Sequence, residues 1–121
     1  MIQIFENQEV NKIVIDESII ESISWLNQFK DIRIKIDWCG QEDLKDVIDF
    51  NSVHSYLIFE FVTNFECNLK YNEDTMGGME ISSFSFKSIE NQWVIEFRFD
   101  FYPVGYIKFI CNDIKFIVED K

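Results

Sequence analysis

The sequence predicts a mainly β fold, in which an antiparallel meander of strands closes into a sandwich or an open barrel. The clearest sign is residues 93–101, where five large apolar side chains occupy alternate positions. That period of two is typical of a strand, because alternate side chains of a strand point to the same face. Connections of about 2–6 residues join the other strand-like segments, which favours antiparallel pairing of sequential strands. The predicted inward face consists of Trp93, Ile95, Phe97, Phe99 and Phe101.

The N-terminal part of the chain begins with two short apolar segments, residues 2–5 and 10–15, and each is predicted to form a strand. Residues 16–27 fit either a strand or one short helix. A helix would be capped by Asp16 or Ser18. Two serines and several branched residues lower the helix propensity of this segment, so the sequence favours the strand.

The middle of the chain contains a predicted hairpin and a buried strand. Residues 27–31 are polar and turn-like, and residues 32–38 alternate without a fault, which predicts the second strand of a hairpin. Residues 44–50 fit one helical turn that runs into a short strand. Residues 56–62 are apolar on both faces, which predicts an interior strand covered from two sides.

The C-terminal half is predicted to consist of further hairpins. Residues 63–65 form a turn and residues 66–71 a strand. The loop at residues 72–78 ends in Gly77-Gly78, a pair that suits a hairpin turn. Another strand covers residues 80–88, and residues 106–118 hold the two closing strands.

Length and charge limit the class of protein. A chain of 121 residues with 47% hydrophobic residues fits one domain, residues 1–121, with a single core. Its 22 acidic residues against 11 lysines and arginines give a formal net charge of −11. Such a field repels nucleic acid and anionic lipid, and it speeds encounter with basic proteins. We therefore expect a basic protein partner, no nucleic acid and no membrane.

The cysteines and the N-terminus indicate a reduced, cytoplasmic setting. Cys39, Cys67 and Cys111 are widely spaced and odd in number, so neither a disulfide framework nor a zinc site is expected. Cys39 beside Gly40 is a candidate exposed thiol, whereas Cys67 and Cys111 have the parity of core residues. The N-terminus lacks the pattern of a secretory signal, and no apolar run is long enough to span a bilayer.

No catalytic, cofactor or metal site is predicted. His54 is the single histidine, and it precedes the predicted interior strand without a recognisable nucleophile beside it. We interpret it as a loop histidine. The chain has no Gly-x-Ser-x-Gly elbow, and residues 72–77 resemble a calcium loop only faintly. We therefore expect no enzyme activity.

An acidic cluster is the predicted partner-binding surface. Four carboxylates lie within eight residues, and Trp38 and Phe50 flank them. Negative charge next to an aromatic anchor is a common composition for a charge-steered protein interface. A solvated surface loop is the alternative interpretation. The predicted partner-binding residues are Trp38, Glu42, Asp43, Asp46 and Asp49.

The order of these segments resembles that of the small, acidic, β-rich immunity proteins of bacterial polymorphic-toxin and contact-dependent inhibition systems. The resemblance lies in residues 16–20 followed by 32–38, then residues 47–53 before an apolar strand, then residues 80–86 and the closing strands. It covers nearly the whole chain and includes no diagnostic motif. It implies a protein that binds and neutralises a cognate toxin, often a basic nuclease, and it assigns no contact residue.

Charge and resemblance together favour an inhibitory protein-binding module. A small-molecule carrier is the first alternative, in which phenylalanines of several strands line a barrel cavity. A small enzyme that uses His54 and nearby carboxylates is the second. The phenylalanines proposed for the carrier are Phe59, Phe61, Phe84, Phe86, Phe97 and Phe99.

Overall fold

Two antiparallel sheets form the computed structural model, which describes residues 2–72, 78–101 and 103–121. The predicted mainly β, antiparallel fold class is confirmed. Within these ranges, three short 3-10 helices accompany the strands, at Asn7–Lys12, Glu42–Leu44 and Phe50–Ser52. The strands are β1 Ile2–Glu6, β2 Ile19–Leu26, β3 Asp31–Asp37, β4 Val53–Glu60, β5 Thr63–Lys70, β6 Met79–Glu80, β7 Ser83–Ile89, β8 Gln92–Phe99, β9 Val104–Cys111 and β10 Asp113–Asp120.

The strand order combines two meanders with non-sequential neighbours. The six-stranded sheet has the order β1-β10-β4-β3-β2-β6, and the four-stranded sheet has the order β5-β9-β8-β7. Sequential pairing therefore holds for β2-β3-β4 and for β7-β8-β9. The prediction of a simple meander misses β10, which lies between β1 and β4, and β5, which pairs with β9.

Aromatic and branched side chains fill the space between the sheets. The ring of Phe59 on β4 makes edge contacts with Phe97 on β8, at a centroid distance of 6.1 Å, and with Phe109 on β9, at 4.9 Å. Edge-to-face pairs are a favoured arrangement of aromatic rings, and these two connect the six-stranded sheet with the four-stranded sheet. Buried residues of both sheets belong to this core.

The predicted inward face of residues 93–101 is confirmed in its centre and wrong at its C-terminal end. Ile95, Phe97 and Phe99 are buried, and Trp93 is half-buried against the core. Phe101 is 67% exposed. Strand β8 ends at Phe99, opposite Gly105 of β9, so the alternation no longer fixes the face on which Phe101 lies.

Gly105 allows β5 and β9 to approach each other closely. Its φ is +141°, and a Cβ atom at this position would lie 1.9 Å from the backbone oxygen of Asn68 on β5. Only glycine fits such a contact.

The N-terminal prediction is correct for β1 and wrong for residues 10–15. Residues 7–12 form a 3-10 helix instead of a strand, because the polar residues before Val10 cap a helical turn. The Glu9 side chain accepts a hydrogen bond from the Glu6 backbone N–H at 3.1 Å. The strand interpretation of residues 16–27 is confirmed by β2, which forms the predicted hairpin with β3.

Three further segments differ from their predictions. Residues 44–50 form no strand, because Leu44 and the buried Ile48 attach them to the core as a loop. Residues 63–65 belong to β5, at an irregularity of its pairing with β9. The predicted strand at residues 80–88 is divided between β6 and β7, because the Ile81 N–H donates to the oxygen of Ser18. Most of the predicted loop at residues 72–78, Gly77 included, lies outside the described residues.

Candidate functional site

The acidic loop, residues 42–49, follows β3 and carries the predicted carboxylates on the surface. Glu42, Asp43, Asp46 and Asp49 are all exposed. Glu42 forms a salt bridge with Lys45, the one basic residue of the loop. The loop therefore presents more negative than positive charge to solvent.

Trp38 does not provide the exposed aromatic anchor that the sequence predicts. Its side chain is only 5% exposed. The ring makes edge contacts with Phe50 at 4.8 Å and Phe116 at 5.0 Å, and the indole N–H donates to the Val14 oxygen at 2.9 Å. Because its apolar surface and its N–H are both satisfied inside the protein, Trp38 fastens the acidic loop to the core.

Backbone contacts hold the start of the loop in one position. The Gln41 side chain accepts from the Val14 N–H at 2.7 Å and donates to the Lys12 oxygen at 2.8 Å. Gly40 has a φ of +79°, and a Cβ atom there would lie 2.3 Å from the Phe50 ring. Contacts therefore hold the loop at both ends: the hydrogen bonds of Gln41 before it and the ring contacts of Phe50 after it.

Local structure accounts for three of the four carboxylates. Asp43 accepts a hydrogen bond from the Gln41 side chain at 2.9 Å, and Glu42 pairs with Lys45. Asp49 caps the following 3-10 helix, because it accepts from the Asn51 N–H at 3.2 Å and from the Ser52 hydroxyl at 2.8 Å. Asp46 has no hydrogen-bond or ion-pair partner among the described residues.

His54 lies within β4 and not in the predicted loop. It is half-buried, opposite Glu119 of β10, and its ring centroid is 6.4 Å from that of Tyr56. A polar cavity of about 220 Å³ contains it together with Lys35 and Asp37. His54 therefore lies on the outer face of the six-stranded sheet, opposite the face on which Val53 and Ser55 are buried.

The three cysteines fall into two environments. Cys39 is exposed as predicted, whereas Cys67 is exposed on β5, contrary to its predicted core position. Cys67 lies on an edge strand whose residues are nearly all exposed, so parity does not bury it. Burial, reinforced by the carboxylates of Asp113 and Glu60, raises the pKa of the Cys111 thiol to about 12.

The phenylalanines proposed for a carrier do not line one cavity. Phe59 and Phe97 are fully buried and contact each other, whereas Phe61 is 56% exposed at the end of β4. Phe84 and Phe86 pack against the core from β7. Five of the six phenylalanines belong to the core or pack against it, and Phe61 is exposed, so we do not propose the carrier function.

An exposed aromatic surface that the sequence interpretation missed is formed by the end of β2, the turn between β2 and β3, and the start of β5. Trp25, Phe29 and Phe65, here called the aromatic cluster, are all exposed, and Phe29 is 75% exposed. The Trp25 ring lies 5.9 Å from that of Phe29 and 5.1 Å from that of Phe65. Phe29 was visible in the sequence as an aromatic residue in an otherwise polar turn, and that was its only signal.

Among the described residues, no group of three or more histidine, cysteine or acidic residues could hold a metal ion. No helix in the described ranges is long and apolar enough to cross a membrane. Comparison with protein-family models, with curated proteins and with solved structures finds no match to this chain.

Proposed function

We propose that the chain is a non-catalytic protein-binding module that neutralises a basic protein toxin, in the manner of the immunity proteins whose strand order it resembles. The observation that carries the proposal is the acidic loop, which is fixed to the core by Trp38 and Gln41 while its carboxylates face solvent. A fixed acidic surface on a protein of net charge −11 attracts a basic partner over distance.

Contacts with the core distinguish this loop from an ordinary solvated one. Ordering a loop on binding costs conformational free energy, and a loop ordered beforehand avoids that cost. The Trp38 contacts with Phe50 and Phe116 supply this order. The proposal therefore assigns Trp38 a supporting role and leaves the contact role to the carboxylates.

Association kinetics test the proposal. The partner to use is the protein encoded beside the gene for this chain, and the variant is Glu42→Lys/Asp46→Lys. These positions are preferable to Asp49, whose carboxylate caps a helix. We expect association to slow about tenfold at low salt and to depend less on salt, while dissociation changes little.

A matched control reverses two exposed carboxylates elsewhere, Glu90→Lys/Asp100→Lys, for the same change in net charge. We expect it to slow association less than the loop variant does. Equal rates for the two variants would place the interface outside the acidic loop. Absence of any binding would reject the inhibitory function for that pair.

A further inference from the structure

We propose that the aromatic cluster, Trp25, Phe29 and Phe65, is a second contact surface, and that it binds a segment of the partner in which arginine alternates with apolar residues. This inference rests on the proposed function for the basic character of the partner. It adds a site that is separate in sequence from the acidic loop.

A continuous series of ring contacts connects the cluster to the core. Phe65 stacks on Phe109 at 5.9 Å, and Phe109 makes the edge contact with Phe59 described above. Trp25 and then Phe29 extend the series outward to solvent. Because each ring packs against the one before it, the exposed rings are held in place. Exposed aromatic side chains in fixed positions are typical of binding hot spots.

The backbone beneath the cluster has an unusual conformation. Asn27, Gln28 and Phe29 are three consecutive residues with positive φ, at 53°, 60° and 66°. Phe61 and Asn64 at the neighbouring turn also have positive φ, at 56° and 53°. Non-glycine residues in this region are strained, and they persist only where surrounding contacts hold them, often at functional sites.

The buried Asp31 provides those contacts. Its carboxylate accepts hydrogen bonds from the Asn27 side chain and, at 3.0 Å, from the Phe61 N–H. The Val62 N–H donates to the Lys30 oxygen at 2.7 Å. Asp31 therefore ties the two turns together, which presents Phe29 and Phe61 at the same end of the molecule.

A groove of about 620 Å³ continues from the cluster along the outer face of the four-stranded sheet. Phe65 and Glu66 lie at its start, and Ile89, Val94 and Ile110 contribute apolar surface. Lysine side chains also line it, and one of them, Lys108, lies between Glu66 and Glu96 in the strand register. The charged side chains that line the groove are Glu66, Lys87 and Lys108, so the groove suits the apolar residues of a bound segment and leaves its arginines to the cluster.

The charge of the protein selects the occupant of the cluster. Exposed rings can stack on nucleic-acid bases and on guanidinium groups. A net charge of −11 repels phosphate and attracts arginine. Arginine also carries an apolar stem that packs along a ring. It can therefore contact the exposed rings and is attracted by the negative charge of the protein.

Nuclear magnetic resonance can test this with a synthetic peptide of alternating arginine and leucine. We expect the Trp25 indole resonance and the amides of residues 27–29 and 61–65 to shift. Phe29→Ala should weaken peptide binding about fivefold. Phe101→Ala, which removes another highly exposed phenylalanine outside the cluster, should leave the affinity unchanged.

Several outcomes would overturn the inference. These are equal affinities of the Phe29→Ala variant and the wild type, shifts confined to the acidic loop, and larger Trp25 shifts with oligothymidylate or phosphocholine vesicles than with the peptide. Shifts confined to the acidic loop would leave the proposed function standing. Peptide binding at the cluster without binding of the adjacent gene's product would support this site and count against the proposed function alone.

Discussion

Phe97→Ala is expected to remove a large part of the stability of the domain. The side chain has no exposed surface, and its ring contacts those of Phe59 and Phe84, the latter at 4.8 Å. Burial of a phenylalanine contributes roughly 1.5–3 kcal/mol, and each ring pair roughly 0.5–1.5 kcal/mol more. With the cavity that remains, the expected loss is about 3–5 kcal/mol. A domain of this kind has a total stability of about 5–15 kcal/mol.

Chemical denaturation of the variant and of a matched control measures this loss. The control is Phe101→Ala, the same substitution at the 67% exposed position that shares the parity of Phe97. We expect the control to change the free energy of unfolding by less than about 0.5 kcal/mol. Arg98→Ala, on the outer face of β8, should be similarly mild. Equally small losses for Phe97→Ala and Phe101→Ala would refute the register of β8.

Three further predictions concern the backbone and the cysteines. Gln28→Gly should stabilise the protein by about 0.5–1 kcal/mol, because glycine adopts the positive φ of this turn without strain. The control Gln8→Gly, at an exposed helical position, should destabilise the protein. Thermal unfolding of the two variants measures both changes in stability. Iodoacetamide at about pH 8 should label Cys39 and Cys67 but label Cys111 only after unfolding. Burial raises the pKa of the Cys111 thiol from 9.0 to about 12, so the folded state holds this proton more tightly than the unfolded state. Stability should therefore fall as pH rises through this interval, and Cys111→Ala should remove that part of the slope. Reaction of Cys111 in the folded protein, or an unchanged slope, would contradict its burial.

The alternation of apolar and polar residues predicted which face of β8 is buried, but it did not predict which strands lie next to each other. The buried centre of β8 follows from parity alone, because side chains two apart must share a face. Parity carries no information about which strand lies alongside. The position of β10 between β1 and β4 therefore could not be predicted from residues 113–120 themselves.

The sequence contained a signal for the position of Trp38 that the interpretation missed, and it contained no comparable signal for the turn under Phe29. Trp38 has the same parity as Ile32, Ile34 and Ile36, all of which are buried, so the alternation that predicted β3 also indicated that Trp38 faces inward. The strained turn under Phe29 carried no comparable signal. Its conformation depends on Asp31 and on contacts with residues 61–62, which are distant in sequence.

Co-expression in a bacterial host tests the central claim most directly. The C-terminal domain of the protein encoded by the adjacent gene would be expressed alone, with this chain, or with the Glu42→Lys/Asp46→Lys variant, and the growth rate would be measured. The proposed function predicts that the domain arrests growth, that the wild-type chain restores it, and that the variant restores it less well. A domain that binds this chain and still arrests growth to the same extent would contradict the account.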